Sequence, residues 1–356
     1  MEYRTLGRSG LKVSVFSFGT MTFGGAGMFA GTGSTQVDDA RRQIDLCIEA
    51  GVNLFDTADM YSAGLSEEIL GQALGKRRPD VLIATKAFGT MGPGVNDVGL
   101  SRHHLIRACE ASLRRLGSDY IDLYHVHNLD STTPHEETLR ALDQLVRDGK
   151  VRYLACSNYG GWHLMKAMAT SDRLGLERFV IQQIQYSLLQ REAEYEMLPC
   201  GIDQGVGALV WGPLAQGYLS GKFRAGMPSE NTRLGANGLI HQFDDERGRN
   251  TLTALEMIAA AHPGASMSQV AMNWVRRRAG VSSILIGART ESQLLDNLAA
   301  AQWSLSDQEM AQLDAVSAQP FPYPYSHHVV YGRGRNQKLG WLPLPEPVKN
   351  KAEKKS

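Results

Sequence analysis

From about residue 40 to about residue 300, short β-branched or apolar runs alternate with longer stretches whose apolar residues recur at helical spacing. Such alternation marks βαβ units, and a chain of them builds a parallel sheet with helices packed outside it. Strands are predicted at Val15–Phe18, Asn53–Asp56, Val81–Thr85, Ile121–Tyr124, Val151–Cys156, Val180–Gln183, Ala208–Trp211 and Ser283–Ile286. Between them, Arg102–Leu116 carries Leu105, Cys109, Leu113 and Leu116 on one helical face, and Glu136–Asp148 does the same with Leu139, Leu142 and Val146. Eight strands, most followed by a helix, fit an α/β fold of the closed (β/α)8 TIM-barrel type. An open dinucleotide-binding sheet fits less well, since no G-x-G-x-x-G follows the first strand. Ahead of the first unit, Tyr3–Val13 alternates around a turn at Ser9-Gly10, which predicts a β-hairpin plugging the barrel bottom.

The chain has 356 residues, long for one domain but ordinary for a barrel, so residues 1–342 are expected to form a single barrel domain. Hydrophobic residues make up 43% and charged residues 21%, which excludes disorder as the general state. Lys plus Arg (37) balances Asp plus Glu (37), leaving no net field to hold nucleic acid. No run of ~18 apolar residues occurs and the N-terminus is polar, so neither a membrane partner nor secretion is expected, and the location expected is cytoplasmic. Cys47, Cys109, Cys156 and Cys200 stand far apart with no CxxC pair, which reads as reduced thiols and no structural zinc. Two segments break the rhythm, Gly24–Val37 and Lys222–Asn250, both after barrel strands and therefore on the catalytic C-terminal face. Pro320–Tyr325 cannot continue a helix and is expected as an aromatic strap over the barrel mouth. Residues 343–356, with prolines and lysines, are expected to be a disordered tail.

Side chains at the C-terminal ends of barrel strands point into the mouth. Asp56 ends the second predicted strand with Tyr61 on the loop beyond it, Lys86 follows the third, and His127 follows the fourth. Together they compose a proton donor. A phenol has an ordinary pKa of ~10, and an ammonium at ~4 Å, worth ~4 kcal/mol at an effective dielectric of ~20, favours its ionised form. Asp56 would keep Lys86 charged and aimed, and His127 would hydrogen-bond a substrate oxygen.

From about Arg4 to Ala301 the sequence resembles the aldo-keto reductase superfamily, nearest its bacterial and potassium-channel β-subunit-like branch. The resemblance rests on Gly51-Val-Asn-Leu-Phe-Asp-Thr-Ala-Asp-Met-Tyr-Ser62, Ser66-Glu-Glu-Ile-Leu-Gly71 and Asp119-Tyr-Ile-Asp-Leu-Tyr-His-Val-His127. It implies a catalytic tetrad of Asp56, Tyr61, Lys86 and His127, an NADPH cofactor (NADP) and reduction of a small-molecule carbonyl. Ser157, Asn158 and Gln183 resemble the anchors of the nicotinamide carboxamide, and Tyr186 its stacking position. Trp211-Gly-Pro-Leu-Ala-Gln-Gly217 and Lys222 resemble the loop over the pyrophosphate, so Trp211, Gly212, Pro213, Leu214, Gln216 and Gly217 are expected at the cofactor, with Gly19, Thr20 and Met21 beside them. Gly287, Arg289, Gln293, Asp296 and Asn297 resemble the adenosine-phosphate site, where Arg289 would pair with a 2′-phosphate and favour NADPH over NADH. Ile286 stands where many members have proline, and Ala288 where many have serine. Phe23, Met60, Phe88 and His127, with the two long loops, are expected to wall the substrate pocket.

Two other readings compete. His125-x-His127 on one strand face would suit a metallohydrolase, but the other strand ends offer Lys86, Gln183 and Trp211 rather than ligands, so no metal is expected. Relatives of the superfamily also serve as cofactor-sensing regulatory subunits, a role that a complete tetrad does not exclude. Against it, the N-terminus leads directly into the hairpin with no docking extension. A homo-oligomer is compatible with either role.

Overall fold

The computed structural model describes residues 1–223, 242–332, 338–339 and 342–343. Most of the Lys222–Asn250 insertion and all of the expected tail beyond Pro343 lie outside the described residues. The chain divides after Ser317, earlier than the boundary expected at 342. In Ala318–Ser356, the described part holds a short helix, Tyr325–Gly332, and a two-stranded antiparallel pair, Lys338–Leu339 with Leu342–Pro343. Its own aromatic contacts, such as Tyr323 on His327 and His327 on Tyr331, hold this segment together.

Met1–Ser317 is a closed barrel of eight parallel strands. After the hairpin strands β1 (Tyr3–Thr5) and β2 (Lys12–Ser14) come β3 (Phe16–Gly19), β4 (Leu54–Asp56), β5 (Leu82–Ala87), β6 (Ile121–Val126), β7 (Val151–Ser157), β8 (Phe179–Gln185), β9 (Gly207–Trp211) and β10 (Val281–Ile286). Each strand pairs with the next, and β10 closes on β3. All eight predicted strands are present, shifted by no more than a few residues at either end.

Helices α1 (Val37–Glu49), α2 (Leu65–Leu74), α3 (Arg102–Leu116), α4 (His135–Arg147) and α5 (Gly161–Leu174) follow β3 to β7 in turn. The two helices predicted by periodicity are α3 and α4, and α3 is capped by Ser101, whose side chain accepts from His104 N at 3.2 Å. Further along lie α6 (Met197–Gln204), α7 (Glu246–Ala261), α8 (Met267–Arg276), α9 (Glu291–Ala299) and α10 (Asp307–Val316).

The hairpin plugs the barrel, as expected. Leu6 and Val13 are fully buried in one cluster with Leu54, Ala84, Leu123, Ala155, Ile181 and Leu209, one inward residue from each of six strands. Burying a side chain of this size contributes about 1.5–3 kcal/mol. Because side chains alternate along a strand, this layer sets the phase of everything above it. The residues two positions on are Asp56, Lys86, His125, Ser157, Gln183 and Trp211. They point the same way, toward the C-terminal mouth.

Candidate active site

At that mouth Lys86 donates from Nζ to Asp56 Oδ1 at 2.5 Å, to the Thr57 carbonyl at 2.7 Å and to Tyr61 Oη at 3.4 Å. Gln183 Nε2 donates to the other oxygen of Asp56 at 2.8 Å. Lys86 and Asp56 are both buried. Burial opposes the ammonium of Lys86, but Asp56 and then Tyr61 outweigh it and hold Lys86 above its ordinary value. Burial also pushes the Asp56 carboxyl up, against Lys86 and Gln183. The geometry decides where the proton sits: donors on both carboxylate oxygens and three acceptors around Nζ fit a charged pair.

Tyr61 opens the turn Tyr61–Gly64, in which Ser62 and Ala63 take left-handed conformations at φ 50° and 56°. Non-glycine residues rarely adopt that region, and such strain collects at functional sites. Ser62 Oγ donates to the Phe23 carbonyl at 2.8 Å and accepts from Gly25 N at 3.0 Å, which fixes the turn against the loop after β3. Asp59, on the same loop, is buried and donates its backbone N–H to the Lys86 carbonyl at 3.1 Å. Burial and the neighbouring Glu67 push its carboxyl up to about 8. The His127 ring lies edge-on to Tyr61 at 5.8 Å. Burial, and then the charge of Lys86, push His127 down to about 3, so it meets a ligand as a neutral imidazole.

Above these groups lies a cavity of about 780 Å³, bounded at one end by Tyr61 and His127 and at the other by Arg289, Gln293 and Asn297. Along it run Ser157, Asn158, Gln183 and Trp211 at strand ends, then Gly212, Pro213, Leu214, Gln216, Gly217 and Lys222. Trp211 Nε1 donates to Asn158 Oδ1 at 3.2 Å, and Asn158 Nδ2 donates to the His127 carbonyl at 3.0 Å. In the Gly212–Gly217 loop, Ala215 and Gln216 have φ of 48° and 56°, with Gly212 at 67° and Gly217 at 98°. Consecutive residues of this kind turn backbone N–H groups toward a common centre.

The chain matches the Aldo/keto reductase family model over residues 16–318. It belongs to that family. It is 36% identical over 311 residues to a probable voltage-gated potassium channel subunit beta of Arabidopsis thaliana, covering 84% of this chain and 91% of that protein. A similarly named protein of Oryza sativa subsp. japonica is 36% identical over 307 residues, with the same coverage of each chain. The uncharacterized oxidoreductase YrpG of Bacillus subtilis (strain 168) is also 36% identical, over 336 residues covering 91% of this chain and 97% of that one.

Most positions expected at the cofactor of an aldo/keto reductase line this cavity, including Gly19, Met21, Asp56, Gly287 and Arg289. Tyr186 does not. It sits an odd number of residues from inward-facing Gln183, so it turns outward. Its ring packs on Trp274 at 5.4 Å, and its hydroxyl is bonded to Glu194 at 2.5 Å and Arg278 at 3.0 Å. Among the strand-end residues an aromatic face in the cavity is given by Trp211, two residues beyond inward-facing Leu209.

Thr20 is buried beneath the loop, bonded through Oγ1 to the Asp56 carbonyl at 3.2 Å and to Ser66 Oγ at 2.8 Å. Asp296 faces away from the cavity and accepts from Ser266 at 2.8 Å and Gln269 at 2.7 Å, tying α9 to α8. Of the expected substrate walls, Met60 and His127 line the cavity. Phe23 is fully buried against Phe18 at 5.9 Å, and Phe88 lies outside the lining. Phe29, from the Gly24–Val37 loop, also lines the cavity, its ring 5.3 Å from Tyr61. Phe223, in the Lys222–Asn250 loop expected to wall the pocket, lines the cavity, and sequence reasoning passed over Thr22 and Met272, which line it with no motif to mark them.

Proposed function

We propose that this aldo/keto reductase is a cytoplasmic enzyme that reduces an aldehyde or ketone to the alcohol with NADPH, and that Tyr61 donates the proton. The observation that carries the reading is Lys86, buried and bonded to Asp56, with Nζ 3.4 Å from Tyr61 Oη at the floor of the cavity.

The donor set fits a nicotinamide dinucleotide. Gln183 Oε1 is left as an acceptor, since its amide nitrogen is occupied by Asp56, and Asn158 Nδ2 has a second N–H. A carboxamide needs one of each. The indole of Trp211 offers a flat face that would cover one side of the ring. The left-handed residues of the Gly212–Gly217 loop and nearby Lys222 suit a pyrophosphate. Arg289 has no carboxylate within ion-pair distance among the described residues, which leaves its charge for a 2′-phosphate. When bound, NADPH would supply the hydride.

The chain's own residues would do the rest. Neutral His127 donates a hydrogen bond that holds the substrate oxygen beside Tyr61. Tyr61 passes its proton to that oxygen as negative charge grows there, and Lys86 stabilises the resulting phenolate while Asp56 keeps the ammonium aimed. Steady-state NADPH consumption over a panel of aldehydes and ketones tests the reading, which fails if no carbonyl is turned over. NADPH should bind more tightly than NADH, and Arg289→Ala should weaken NADPH roughly tenfold to a hundredfold while leaving NADH nearly unchanged. Equal dissociation constants for the two cofactors would refute the phosphate assignment.

A second reading, a cofactor-sensing regulatory subunit, draws on the names of the two plant relatives. NADPH binding without turnover on any carbonyl would favour it.

A further inference from the structure

The loop after β3 is stitched at its base and reaches across the cavity at its tip. At the base, Gly24 N donates to the Thr35 carbonyl at 2.9 Å and Thr35 N to the Thr22 carbonyl at 3.1 Å. Beside them Ser62, the neighbour of Tyr61, holds Phe23 and Gly25. Gly24 has φ 92°, and a Cβ there would stand 2.9 Å from the Ser62 Cβ, so the close approach requires glycine. The tip, a single turn at Gly27–Phe29, is laid over the cavity by two contacts. Phe29 sets its ring 5.3 Å from Tyr61 at an interplanar angle of 64°, and Arg289 donates to the Thr32 carbonyl at 3.2 Å and the Gly31 carbonyl at 3.4 Å. Arg289 belongs to the far end of the same cavity, beside Gln293, whose Oε1 accepts from Arg289 N at 3.0 Å.

We propose that Phe29 is a specificity-determining wall of the carbonyl site and that Arg289 is the positioning residue that keeps it there, coupling the two ends of the cavity through residues 29–32. The inference rests on the reductase reading and deepens it: the favoured substrates are carbonyls carrying an aromatic or bulky apolar group that packs between Phe29 and Met60. A guanidinium presents five N–H donors in one plane, enough to serve two loop carbonyls and an anion together. An anion at Arg289 restrains that side chain and with it the loop. Coupling of this kind is reciprocal, so a cofactor bearing the 2′-phosphate tightens the grip on the carbonyl, and the carbonyl tightens that cofactor. Phe29 lies three residues before Thr32, so a shift of the loop at Arg289 moves the ring that faces Tyr61.

Two measurements on the full-length protein test this. The first is hydrogen exchange of residues 24–36 without cofactor, where Arg289→Ala should speed exchange severalfold; unchanged exchange overturns the positioning role. The second is the KM for benzaldehyde against that for propanal, each cofactor saturating. Wild type should show a lower benzaldehyde KM with NADPH than with NADH. Phe29→Ala should raise the benzaldehyde KM about three- to tenfold more than that of propanal, with Phe29→Leu falling between. Arg289→Ala should raise the benzaldehyde KM by a similar factor with NADH, and should have no such effect in the Phe29→Ala background. Effects that simply multiply in the double variant refute the coupling. If wild type reduces neither probe nor any other carbonyl, the reductase reading falls, and the exchange measurement still decides whether Arg289 holds the loop.

Discussion

Tyr61→Phe removes one oxygen and little else, which makes it the cleanest perturbation of the proposed chemistry. The ring keeps its contacts with Phe29 at 5.3 Å and His127 at 5.8 Å, so the turn Tyr61–Gly64 and the cavity wall should survive. Among the losses are a long hydrogen bond from Lys86 at 3.4 Å, worth about 1 kcal/mol or less to stability, and the proton itself. Lys86 retains Asp56 and the Thr57 carbonyl, so its charge stays compensated. The expected signature is therefore a split: NADPH affinity and thermal midpoint close to wild type, and kcat for carbonyl reduction lower by ~10²–10⁴, the range for a lost general acid. That loss corresponds to about 3–5.5 kcal/mol of transition-state stabilisation, several times what the missing bond contributes to folding. Single-turnover reduction at saturating cofactor is the appropriate assay, because it isolates chemistry from cofactor release. Wild-type turnover by the phenylalanine variant on every carbonyl that the protein reduces would refute Tyr61 as the proton donor.

Asp56→Asn should destabilise the fold by about 3–5 kcal/mol, since it leaves Lys86 buried without its counter-charge; a denaturant midpoint equal to wild type would show that the ammonium is not charged there. His127 carries a pH dependence whose sign follows from its depression to about 3 in the folded chain against ~6.5 unfolded. The unfolded state binds the extra proton between those values, so this contribution is complete above pH ~6.5 and is lost as pH falls toward 3. His127→Gln should accordingly lose less stability than wild type between pH ~7 and ~5, as read by urea unfolding, and parallel losses would contradict a neutral imidazole. The two aromatic residues separate by role. Trp211→Ala should weaken NADPH and NADH alike, whereas Tyr186→Phe should leave both dissociation constants unchanged and lower stability by about 1–3 kcal/mol through its lost bonds to Glu194 and Arg278. Weaker cofactor binding by the Tyr186 variant would restore it to the site.

The barrel was legible because its signal is repeated: eight apolar runs separated by helical periods admit few other architectures, and each strand found lies within a few residues of its predicted place. That Asp56, Tyr61, Lys86 and His127 gather at one place was legible for a related reason. Asp56, Lys86 and His127 stand at strand ends, where a barrel has one mouth into which they can point, and Tyr61 follows on the adjoining loop. What position alone leaves open is phase. Along β8 and β9 a residue two or four places from an inward core residue faces the mouth, and one an odd number away faces the helices. Ile181 and Gln183 share a phase that Tyr186 lacks, and Leu209 shares one with Trp211. Counting from the apolar plug layer would have placed Trp211, and not Tyr186, on the cavity wall.

No such count was available for the loop after β3. Phe23 and Phe29 both lie in the same glycine-rich surroundings, with no strand period to rank them. Their fates are set by contacts remote in sequence: Phe23 is drawn into the core against Phe18, with its carbonyl held by Ser62, while Phe29 is placed on Tyr61 by a loop that Arg289 reaches from the other end of the chain. Residues at strand ends can thus be read one at a time, while the loop residue that covers them is set by a side chain distant in sequence.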